Sequence, residues 1–151
     1  MRPYTDEWLC QQIVEHTQEA IIAADRDGII RLWNAGAATV FGFQADEALG
    51  QSLDLIIPEA LRARHWAGYR RTMATGTSRY GREVLAVPAL RKDGTRISLE
   101  FTIVILRDTA GETLGTAAII RDVTARWQQD KAMRERLTAL EARLQNASNH
   151  R

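Results

Sequence analysis

The chain has 151 residues, 45% of them apolar and 26% charged, which suits one soluble globular domain with a real core. Its net charge of +1 supplies no field to steer nucleic acid or an anionic membrane. The single cysteine, Cys10, excludes an internal disulfide and fits a reducing compartment such as the cytoplasm, while the polar start from Met1 to Asp6 and the lack of any run near the ~20 apolar residues of a spanning helix argue against secretion and membrane insertion.

In chain order, Thr5 is placed to cap a helix with apolar positions Trp8, Leu9 and Ile13. Apolar runs Ala20 to Ala24 and Ile29 to Trp33 flank Asp25-Arg26-Asp27-Gly28, a strong hairpin signal. The small residues from Ala35 to Gly42 read as a short helix, and Asp46 to Leu49 as a turn ended by Gly50. Pro58 opens a longer helix, because proline suits a helix start, and Gly76 stops it after about Thr75.

Three strands are expected next. The first runs from about Arg82 to Leu90 and contains Pro88, which points to an edge position or a bulge. Lys92-Asp93-Gly94 turns the chain into Thr95 to Leu106, with Ile97, Leu99, Phe101, Ile103 and Ile105 on one face and Arg96, Ser98, Glu100 and Thr102 on the other. Asp108 to Glu112 turns it again into Thr113 to Val123. Hairpins rather than crossovers join the strands, so the class is α+β with an antiparallel sheet covered on one face by helices. From Ala125 to Asn146 the pattern is helical, and Met133, Leu137, Leu140 and Leu144 recur at intervals of four, three and four. That is a heptad seam, too narrow to bury well against a sheet, and it predicts a homodimer through a coiled coil.

Several of these segments together resemble a PAS domain. Asp25-Arg26-Asp27-Gly28-Ile29-Ile30, Trp33-Asn34, Phe41-Gly42-Phe43, Glu47-Ala48-Leu49-Gly50 and Ile57-Pro58-Glu59 look like its first half. Arg91-Lys92-Asp93-Gly94-Thr95 looks like its central hairpin, and Arg121-Asp122-Val123-Thr124 like the motif that closes its last strand. The resemblance implies a five-stranded antiparallel PAS sheet over residues 17–124. A flanking helix over 1–16 and a signalling helix over 125–151 complete the expected organisation, with Asp122 and Thr124 as the relay between strand and helix. It implies a sensor rather than an enzyme, acting on a separate output partner or as the sensory fragment of something larger.

On a wheel of about 100° per residue, Leu61, His65, Tyr69, Thr72 and Met73 share the more apolar side of the helix after Pro58. A histidine there is either satisfied by a hydrogen bond or a metal ligand. Pro58-Glu59, Arg62 and Arg64-His65 resemble the proximal-histidine segment of the oxygen-sensing haem PAS domains, and the interval to Asp93-Gly94 matches theirs without a gap. That resemblance implies haem b with His65 as the proximal iron ligand. It puts Arg71 and Arg79 near the propionates and Tyr80, Leu85, Phe101 and Ile103 on the distal side. Leu85 departs from the pattern, because the oxygen sensors carry an arginine there. Loss of that donor favours carbon monoxide or nitric oxide over oxygen. Trp66, unusual beside His65, either packs against a haem or fills the core.

No flavin is expected, since the Asn-Cys-Arg context of light-oxygen-voltage sensors is absent, and neither a zinc site nor a nucleophilic triad has the necessary residues. Two other readings share the fold: a cofactor-free PAS dimerisation and relay module, and a pocket for a small organic ligand.

Overall fold

The computed structural model describes residues 2–78 and 85–150. Five strands form one antiparallel sheet in the order β2-β1-β5-β4-β3: β1 Ala20–Asp25, β2 Ile30–Trp33, β3 Leu85–Leu90, β4 Arg96–Arg107 and β5 Thr113–Asp122. Helices α1 (Asp6–His16), α2 (Ala35–Phe41), α3 (Ala45–Ala48) and α4 (Glu59–Thr75), with a 3₁₀ turn at Leu53–Ile56, lie outside the sheet, and α5 (Thr124–Asn149) follows β5. The α+β class and the five-stranded antiparallel sheet read from the sequence are what the fold contains. The 3₁₀ turn has no counterpart in that reading. The part of the expected third strand before Leu85 lies outside the described residues.

Local chemistry explains the boundaries. Thr5 Oγ accepts the Trp8 amide at 3.1 Å and starts α1. Asp25 Oδ1 accepts the amides of Asp27 and Ile29 at 2.9 and 3.1 Å, which closes the β1–β2 turn. Pro58 stands at the N-cap of α4, and Gly76, at φ 66°, caps its other end with an amide bonded to the Thr72 carbonyl. Pro88 sits on β3, an edge strand, as its missing N–H requires.

The core lies between the sheet and α2, α3 and the 3₁₀ turn. Ala20 and Ile22 from β1, Ile97 and Leu99 from β4 and Ile120 from β5 pack with Ile30, Trp33, Phe41, Ala48 and Ile56. Alternation places Phe101, Ile103 and Ile105 on the same inner face, but there they are only half-buried. Asn34, itself buried, locks the entrance. Its Oδ1 accepts the Ile21 and Ala37 amides at 2.8 and 2.9 Å, and its Nδ2 donates to the carbonyls of Val14 and Glu19 at 2.8 and 3.0 Å. One side chain therefore ties the end of α1 to β1 and α2.

Candidate ligand pocket and its outlet

Two groups of residues carry the chemistry: the inner side of α4, and the junction where β5 becomes α5. The buried stripe of α4 is Tyr69 and Met73, which pack on Ala24 of β1 with Leu53 and Trp66 at their edge. This is the side of α4 that the wheel marks as the more apolar. His65, one helical turn before Tyr69, is half-buried. The Tyr69 hydroxyl donates to the Asp25 carbonyl at 2.5 Å, and burial, before any other influence, raises this phenol above its ordinary pKa.

Trp66 belongs to the packing. Its Nε1 donates to Asp54 Oδ1 at 2.7 Å, and its six-membered ring lies against Gly28. A Cβ on Gly28 would stand 2.1 Å from that ring, and Gly28 also has φ +75°, so only glycine lets the turn and the indole meet. Arg62 donates to the carbonyls of Ile57 and Asp54 at 3.1 and 3.3 Å and fastens the start of α4 to the 3₁₀ turn.

His65 sits between two aromatic neighbours, with ring centroids 4.8 Å from Trp66, edge-on, and 5.8 Å from Tyr69. Its Nδ1 is buried and has no hydrogen-bond partner. Burial pushes the imidazole below its usual pKa, and the nearby Asp54 charge only partly opposes this. The ring is therefore neutral at pH 7, the form that ligates a metal. An unpaired buried nitrogen costs about 1–3 kcal/mol, so this group has a reason to take a ligand. Among the described residues no three of His, Cys, Asp and Glu gather to hold a metal ion.

The other residues named from the sequence scatter. Phe101 lies opposite Leu85 on one side and Ile120 on the other, and Ile103 opposite Ala118, so both belong to the half-buried inner strip. Arg71 is exposed on the outer side of α4. Arg79 and Tyr80 lie outside the described residues, as does the side chain of Leu85.

The outlet is compact. Only Val123, buried, separates β5 from α5, and its amide donates to the Ser98 carbonyl at 2.9 Å. The Ser98 amide in turn donates to Thr124 Oγ at 3.0 Å, while Asp122 Oδ1 accepts both the amide of Thr124, at 2.9 Å, and its hydroxyl. Ser98 precedes Leu99, whose side chain is in the core, so a shift in β4 reaches Thr124 through one peptide unit. From Ala125 to His150 every residue of α5 and its cap is exposed, including Met133, Leu137, Leu140 and Leu144. No helix among the described residues is long and apolar enough to cross a membrane.

A family model described as the PAS fold matches residues 14–128. Sensor protein FixL of Bradyrhizobium diazoefficiens is 32% identical over 134 residues, covering 87% of this chain and 26% of that protein. Oxygen sensor protein DosP of Escherichia coli (strain K12) is 23% identical over 122 residues, or 81% of this chain and 15% of its own length. This chain thus spans about a quarter or less of either relative. Among solved structures, a PAS domain from Colwellia psychrerythraea superposes with a TM-score of 0.68 at 21% identity, covering 78% of this chain and 96% of that one.

Proposed function

This chain belongs to the PAS-fold family, and from that premise we propose that it is a sensory domain: ligand state on the inner face of its sheet is passed to α5, which pairs with a second copy of the chain. The observation that carries the reading is the clasp of Ser98, Thr124 and Asp122, which joins a core strand to the first residue of α5 with no flexible linker. Two arrangements of such a clasp give the sheet a way to bias the helix. The relatives named as a sensor and an oxygen sensor support the role. Residues 17–124 form the sensory unit and 125–151 the signalling helix. A chain ending at Thr124 is expected to dimerise more weakly in sedimentation, because the exposed seam on α5 has then been removed.

The ligand group we propose is haem b, held through the neutral imidazole of His65, with Phe101 and Ile103 as apolar wall. Support comes from the unpartnered buried Nδ1, the half-buried inner strip and the resemblance of the Pro58 to His65 segment to haem PAS sensors. When bound, haem would supply an iron able to take up a diatomic gas. Trp66 and Tyr69 flank the imidazole and would fix its plane. Arg71, Arg79, Tyr80 and Leu85 enter this reading through the resemblance alone. No catalytic role is part of this reading.

The test compares amide exchange over residues 124–131 in ferrous, haem-loaded protein with and without carbon monoxide. The expected gas-dependent difference disappears in Asp122→Ala while binding persists. An undiminished difference in that variant overturns the clasp as relay.

A further inference from the structure

We propose that Glu19, Arg121, Glu100 and Arg126 form a charge-exchange ladder that couples the chain just after α1 to the seat of α5, a device that deepens the relay reading above and rests on it. Arg121 Nη2 and Nε donate to Glu19 Oε1 at 2.8 and 3.0 Å. Arg121 stands directly opposite Glu100 in the β4–β5 register, and Glu100 is ion-paired with Arg126 on the first turn of α5. Signs therefore alternate along four side chains, drawn from the bend before β1, the middle of β4, the end of β5 and the start of α5. The two carboxylates are the better shielded members, 34% and 29% exposed, so they are the fixed rungs between which longer arginines choose.

The ladder matters because little else seats α5. Its residues beyond Thr124 are all exposed, and a groove of about 540 Å³, lined by Pro88, Ser98, Glu100, Thr124 and Trp127 among others, separates its first turns from β3 and β4. The Arg126–Glu100 pair and the Thr124 clasp span that groove. Arg121 and Arg126 then compete for one carboxylate, Glu100. While Glu19 holds Arg121, Glu100 is left to Arg126 and α5 stays seated. When Glu19 withdraws, Arg121 turns to Glu100 and the hold on Arg126 slackens. Glu19 is placed to report on the N-terminal side, since its own backbone carbonyl is held by Asn34, the residue that also binds the end of α1. Ligand state is not needed for this exchange; a shift of β4 against β5 and a movement of α1 enter the same junction from opposite sides.

Amide exchange over residues 125–131 of the full chain tests the ladder without any ligand. Glu19→Gln is expected to speed exchange there roughly two- to fivefold, the size an exposed ion pair commands. In an Arg126→Gln background the same Glu19→Gln change is expected to do nothing further, because the last rung is already gone. Unchanged exchange in Glu19→Gln overturns the proposal. So does an equal acceleration in the Arg126→Gln background, which would mean transmission by packing rather than charge. A failure here leaves the gas-dependent difference over 124–131 intact, whereas failure of the relay reading removes that difference whatever the ladder does.

Discussion

Thr124→Val removes a single hydroxyl from the junction while keeping the shape of the side chain. Thr124 Oγ accepts the Ser98 amide at 3.0 Å and donates to Asp122, so the change strands one backbone N–H and one carboxylate contact. A buried donor left without a partner costs about 1–3 kcal/mol, but both Ser98 and Thr124 are half-buried. Water meets part of the loss, which brings the expected destabilisation to about 1–2 kcal/mol. For a domain of this size that corresponds to roughly 2–8 °C in Tm. Asp122 still accepts the amide of residue 124, so α5 is expected to loosen at its start rather than detach. Thr124→Ser keeps the oxygen and loses one methyl, and is expected to cost under about 1 kcal/mol. Urea unfolding gives the free energies, and amide exchange over 124–131 locates the loosening. The reasoning is refuted if Thr124→Val matches wild type in both, or if Thr124→Ser is equally damaging, since the oxygen would then carry none of the effect.

Gly28→Ala is expected to cost about 2–4 kcal/mol, because its Cβ meets the Trp66 ring at 2.1 Å and its φ is positive. In a Trp66→Ala background the same substitution retains only the backbone strain, about 1–2 kcal/mol, so thermal unfolding should show a clearly non-additive pair; strict additivity contradicts the packing described. For His65, the folded pKa lies below the ordinary 6.5, so the unfolded chain takes up the proton first. Its contribution to stability is complete above about pH 6.5 and is lost as pH falls from there through the folded value, with a slope no steeper than about 1.4 kcal/mol per pH unit. His65→Leu is expected to flatten that part of a urea-unfolding pH series, and an unchanged slope would place the titration elsewhere.

Much of the framework is legible in local sequence. Asp25 to Gly28 announces the first hairpin because its turn bonds are made within five residues. Pro58 and Gly76 bound α4 because backbone conformation at both positions is set by the residue itself. The alternation in β4 marks its inner face, and the narrow seam of α5 matches a helix exposed along its length. The site is less legible. The wheel marks the side of α4 that carries Tyr69 and Met73 but not what meets it; Trp66 meets Gly28, 38 positions away, a contact no local pattern contains. The signal lies in Gly28 and Trp66 themselves, a residue without a side chain in a turn and a large ring needing a flat partner, but nothing in the sequence pairs them. The ladder from Glu19 to Arg126 is hidden for the same reason, since its rungs come from distant segments brought together by strand register.

The measurement that bears most directly on the proposed sensor is the absorption spectrum of the chain purified with excess haem, taken with and without dithionite and carbon monoxide, in wild type and His65→Ala. A Soret band that is present in wild type, lost or weakened in His65→Ala and partly restored by added imidazole is the expected result. A wild-type chain with no Soret band, or with a band indifferent to residue 65, would contradict haem ligation by His65.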